Sequence, residues 1–220
     1  MKWINSLDEL LYEVVSWLLF FPITLGRTII APLEMMDYAD RQLVLPEAEQ
    51  YDAAVSPPLF LALALLLAHS VAIALGEPDQ LVADRNGLAA LIKDDTSALA
   101  FRLMVFGSFP LLAAVRSLRR QGRPLGRASL RPRFYAQCYP VGVFALGLSL
   151  GVSLTSAHVP GVATAGKVLI VLSLVYYSVL ETRWLAAQGP GGYLRAAGAT
   201  ALVLTQAALL LVCLGVLLIR

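Results

Sequence analysis

Hydrophobic positions in this chain follow two patterns, and the change between them falls near residue 57. Before it they recur with a helical period. Leu7, Leu10, Leu11, Val14, Leu18 and Phe21 are spaced by three and four, with Glu9, Tyr12, Glu13 and Ser16 opposite, which predicts an amphipathic helix. Its uncharged stretch, Val14 to Gly26, contains Pro22 and falls short of the ~20 apolar residues that cross ~30 Å of hydrocarbon. It therefore reads as an interfacial helix with Trp17 at headgroup level; a sixth, tilted span is the alternative. Pro32 suits the first position of a second short amphipathic helix, with Leu33, Met36 and Leu43 near one face and Glu34, Asp37 and Asp40 on others. The acidic, proline-containing run from Leu45 to Pro58 then reads as a linker.

After residue 57 the apolar residues come in runs instead. Four are clean: Pro57 to Gly76, about Ser97 to Val115 with Arg102 inside it, about Ala136 to Ala157, and about Leu194 to Ile219. A fifth, about Val162 to Trp184, has Lys167 near one end and Glu181 and Arg183 near the other, where charged groups reach the headgroups along their own stems. The fold expected is an all-α polytopic transmembrane helix bundle: residues 1–56 form cytoplasmic or interfacial amphipathic helices and an acidic linker, and residues 57–220 form five spans.

Charge sets the orientation. Between the second and third spans lie Arg116, Arg119, Arg120, Arg123, Arg127, Arg131 and Arg133 with no acidic residue; between the first and second lie Glu77, Asp79, Asp84, Asp94 and Asp95 against Arg85 and Lys93. Basic loops stay on the cytoplasmic side. The arginine loop is thus expected inside, and five spans place the N-terminus inside with it. Composition agrees with the membrane reading: 58% of residues are hydrophobic, 15% are charged and the mean hydropathy is +0.72, against about 25% charged in a soluble domain. Net charge is only +2, so nothing points to a nucleic-acid partner. Arginine outnumbers lysine 14 to 3, the mark of GC-rich coding and a bacterial source. No secretory signal is expected in the opening residues, since Asp8, Glu9 and Glu13 stand where a basic and then an apolar region should be.

Candidate chemistry is sparse. Polar groups at membrane depth are the first to consider, because lipid offers them no partner. They are His69, Arg102 and Glu181: His69 as a proton relay or as a group bonded to a neighbouring helix, Arg102 reaching out to Asp94 or Asp95, Glu181 at the inner interface near Arg183. Tyr177 and Glu181 share a helical face, either lining a cavity or belonging to an interfacial aromatic belt. Gly147 and Gly151 form a GxxxG that permits close helix approach. Cys138 and Cys213 have no metal-ligand spacing and read as buried, reduced thiols. No H-E-x-x-H, G-x-S-x-G or P-loop occurs, so neither catalytic residues nor a metal or cofactor are expected. The seven arginines are the strongest feature, suited to anionic lipid headgroups or an acidic protein partner.

The arrangement resembles the Yip family, membrane proteins with short cytoplasmic N-terminal helices followed by five spans. Three stretches carry the likeness: APLEMMDYADRQL ahead of the first span, RPRFYAQCYPVGVFAL leading into the third, and YYSVLETRWLAAQGPGGYLRAAGATAL joining the last two. The Asp-Leu-Tyr-Gly-Pro stretch of eukaryotic members is absent, so their GTPase binding is not implied. The resemblance implies fold, topology and a bacterial inner-membrane location, among relatives often labelled permeases. The function expected is that of a non-enzymatic accessory or organising component, its partners being membrane lipids and another membrane protein or a second copy; a small-solute permease using His69, Arg102 and Glu181 is the rival.

Overall fold

The computed structural model describes residues 2–75, 95–156, 160–189 and 191–219. Among them are seven α-helices: α1 (Lys2–Ile30), α2 (Pro32–Gln42), α3 (Pro57–Ala74), α4 (Asp95–Arg120), α5 (Arg127–Ser156), α6 (Pro160–Gln188) and α7 (Gly192–Ile219). The described residues hold one 3₁₀ turn, Glu47–Glu49, and no strand. The expected all-α polytopic bundle is what the chain forms. Helices α3 to α7 match the five apolar runs; α4 and α5 outlast theirs, continuing through the flanking arginines, which are good helix formers. By length and composition α1 qualifies as a sixth crossing over Leu11–Ile30. It does so because the helix runs on through Pro22 to Ile30; a proline inside a membrane helix is tolerated when neighbouring groups satisfy the freed backbone.

The centre of the bundle is α5, in which 12 of 30 residues are buried. Small residues let its neighbours come close. A methyl group at Gly142 would meet the Phe60 ring of α3 at 2.7 Å; one at Gly166 of α6 would meet Gly151 O and Thr155 N of α5, each at 2.7 Å. Gly147 faces Ser173 in the same crossing. The GxxxG pattern thus serves the α5–α6 contact within the chain.

Residues 20–56 are packed onto one end of this bundle. α2 starts at Pro32, as its sequence predicts, and lays Met35, Met36 and Ala39 into a core with Phe60, Ala136, Tyr139, Leu180 and Trp184. Burying each methionine is worth about 2 kcal/mol relative to water. The linker closes the same core with Ala54 and Val55. Tyr139 donates to Val55 O at 2.8 Å, Val55 N to Thr24 Oγ1 at 3.1 Å, and Tyr176 to Thr28 O at 2.8 Å. Tyr51, at φ 63°, turns the chain in the left-handed region, and its N–H is taken by Gln42 Oε1 at 2.7 Å. The segment expected as a linker is a built cap over the bundle end.

Candidate functional site

That end of the bundle is also where the arginines gather. Residues 121–126 join α4 to α5, so only Arg123 lies in the connection. Arg116, Arg119 and Arg120 ride the last turns of α4, and Arg127, Arg131 and Arg133 the first turns of α5. Arg119, Arg123, Arg127 and Arg131 are exposed, while Arg116, Arg120 and Arg133 are half-buried. Arg133 pairs with Asp40 of α2 at 3.1 Å. The Arg131 guanidinium lies 5.4 Å from the centre of the Tyr135 ring, and Arg27 of α1 lies 5.5 Å from that of Tyr38 while donating to Ala53 O at 3.3 Å. The connection is fastened to α6: Gln188 Oε1 accepts from Ser117 Oγ at 2.9 Å and from Gln121 Nε2 at 3.0 Å.

Partial burial sets the ionisation here. Loss of water raises the Asp40 carboxyl above its ordinary value, with Arg133 pulling against it and Asp37 adding to the rise. The same loss raises the phenols of Tyr38, opposed by Arg27, and of Tyr51. Among the described residues, clefts open at this end in two places. One of ≈ 540 Å³ sits beside Gln121, Arg123, Gln188 and Gly189. The other, ≈ 500 Å³, lies in the elbow between α1 and α2 against α6. Four exposed guanidinium groups around one short connection can hold phosphate or carboxylate oxygens with paired N–H donors.

The three candidates at membrane depth fall in two places. His69, almost fully buried on α3, has Nδ1 3.1 Å from Arg102 Nη1 on α4. His69 is therefore bonded to a neighbouring helix, and Arg102 meets it. The acidic run expected as the outer loop, from Glu77 to Asp94 with Arg85 and Lys93, lies outside the described residues, as does the Asp95 side chain. Glu181 stands apart, fully buried between α6 and α5. Its Oε2 accepts from Gln137 Nε2 at 2.7 Å, while its Oε1, Gln137 Oε1 and the Tyr177 hydroxyl make no hydrogen bond. Tyr177 does share the Glu181 face, but it is stacked on Phe144 at 5.0 Å inside the core and not in an interfacial belt. Cys138 is buried as expected; Cys213 is exposed on α7.

Sequence reasoning missed Gln137, Asp40 and Gln188. The first carries a signal in hindsight, a lone amide inside the apolar run from Ala136 to Ala157. The other two carry none, because each is polar in a polar stretch and gains its partner only from a distant helix. Among the described residues no group of three His, Cys, Asp or Glu side chains is placed to hold a metal ion. Comparison with family models, curated proteins and solved structures finds no match to the chain.

Proposed function

We propose that the protein is a non-enzymatic accessory component of a bacterial inner membrane, which works by holding anionic lipid headgroups or an acidic membrane partner at its arginine end. The carrying observation is the set of four exposed arginines, Arg119, Arg123, Arg127 and Arg131, around a connection with no acidic residue between positions 116 and 133. Each basic residue near an anionic surface is worth about 1 kcal/mol, so four supply about 4 kcal/mol, or roughly three orders of magnitude in affinity. By the positive-inside rule this end faces the cytoplasm. The likeness to the Yip family belongs to the same proposal and supports its non-catalytic character. The permease reading has less support, since His69 with Arg102 and Glu181 with Gln137 are separate pairs and neither cleft is lined by any of them.

The test is cross-linking in native membranes followed by mild solubilisation and mass spectrometry. The wild type should carry an acidic partner, or anionic lipid enriched over the bulk membrane, at the α4–α5 connection. Replacing Arg119, Arg123, Arg127 and Arg131 together by Gln should lower that enrichment about a hundredfold or more. Equal enrichment in both proteins removes the reading.

A further inference from the structure

We infer that the groove in the α1–α2 elbow seats one diacyl phospholipid whose headgroup carries a primary ammonium. The helix is interrupted at Ala31 (φ −129°, ψ 60°), which parts α2 from α1 and leaves the ≈ 500 Å³ space against α6, within the size range of small-molecule sites. Along α6 the groove runs from Val175 to Arg183, a climb of about 12 Å at 1.5 Å per residue. Ile30, Leu33, Val175 and Val179 make its length apolar. Val175 is 54% and Val179 52% exposed, so the apolar length opens sideways, where a bilayer supplies acyl chains.

The mouth has the opposite character. It holds one carboxylate, Glu34, and one guanidinium, Arg183, both exposed; among the described residues neither takes part in an ion pair. A headgroup of one phosphate and one ammonium matches that pair charge for charge. Its phosphate meets Arg183, its N–H groups meet Glu34, and an acyl chain fills the line of Val175 and Val179. A net anionic headgroup leaves Glu34 opposed by like charge, and a choline headgroup has no N–H to give it. A soluble zwitterion leaves the apolar length empty.

This inference rests on the reading that the protein works through lipid contact. Its test uses the purified full chain, stripped of lipid in mild detergent and given dioleoyl phosphatidylethanolamine, phosphatidylcholine and phosphatidylglycerol in equal amounts, with retention measured by native mass spectrometry. One phosphatidylethanolamine should be kept about tenfold over the others, the effect of one charge-assisted hydrogen bond. Glu34→Gln should bring it to the phosphatidylcholine level, and Arg183→Gln should weaken all three. Val179→Trp should fill the groove and abolish retention with thermal unfolding unchanged. Equal retention of the three lipids, or a preference that survives Glu34→Gln, overturns the inference. The four-arginine variant run in parallel separates the two ideas. If the groove shows no preference while anionic enrichment still depends on those arginines, the groove alone is wrong; if both are absent, the lipid reading falls as well.

Discussion

Glu181 shows how much one polar residue can ask of its surroundings. A buried carboxylate is costly unless paired and hydrogen-bonded, and among the described residues the one bond given to Glu181 comes from Gln137. Glu181→Gln keeps the shape and an acceptor for Gln137 Nε2 while removing the need to bury a charge. Its thermal stability in detergent should equal or exceed that of the wild type. Glu181→Ala leaves Gln137 with neither oxygen nor nitrogen bonded and opens a cavity, so it should cost about 2–4 kcal/mol. If Gln destabilises as much as Ala, the carboxyl itself is needed to hold the fold. Tyr139 poses a simpler question. Its hydroxyl holds the linker through Val55 O, so Tyr139→Phe should lose about 1 kcal/mol and speed amide exchange in residues 52–56 more than elsewhere.

Among the elements, the five apolar runs were legible because lipid demands them, and a run of that length has few other readings. The cap was not legible. Ala54 and Val55 sit in an acidic stretch with no periodicity, and what buries them is Tyr139, 84 positions on. In α2 the buried face is Met35, Met36 and Ala39, with Leu33 packed beside it; of the expected Leu33, Met36 and Leu43, the first two thus meet the core, and docking on α5 adds Met35 and Ala39. The seven arginines were visible, but Asp40 as the partner of Arg133 was not. That pair carries a pH dependence. Burial raises the Asp40 carboxyl in the folded chain above 3.8, so the native state keeps this proton at a higher pH than the unfolded state. Asp40 therefore favours the fold most at the acid side of that window and less as pH rises through its folded value. Asp40→Asn should flatten the slope of melting temperature as pH rises out of the ordinary carboxylate range; an unchanged slope assigns the dependence elsewhere. The α5–α6 crossing gives a sharper test. At Gly166 an added methyl meets backbone atoms on α5, which cannot swing aside as a side chain can. Gly166→Ala should lower stability by about 1–3 kcal/mol, while Gly161→Ala, with open space around it, should change it little. Equal effects at the two sites count against the close crossing.

For the whole molecule the open choice is the course of α1, which fixes on which side the chain begins. The end of α1 is tied to the arginine end by Thr24, Arg27 and Thr28. Around those residues, Phe21 and Leu25 pack on the cluster of Ala64, Ala68 and Leu146, and Ala68 is about 17 Å along α3 from Pro57. The helix is therefore heading along the bundle and not across its end. At 3.6 residues per turn, Glu13 and Trp17 share the side of Phe21, Thr24 and Thr28, and Trp17 Nε1 donates to Glu13 Oε2 at 3.0 Å. Leu11, Val15, Leu18 and Leu19 form the far arc, all more than half exposed, as lipid-facing side chains are. From Leu11 to Ile30 is 20 residues, about 30 Å, the thickness of the hydrocarbon. A crossing α1 puts the N-terminus opposite the arginines, whereas an interfacial α1, the course expected from five spans, puts both on one side. Single cysteines at Ser6 and at Arg123, in a Cys213→Ser background, distinguish the two in sealed vesicles with a membrane-impermeant maleimide. Labelling from opposite faces is the expected result. Labelling from one face would mean that α1 leaves the bundle before Phe21 and lies in the interface. The apolar arc of Leu11, Val15, Leu18 and Leu19 would then enter the leaflet from above, and Glu13 would face water.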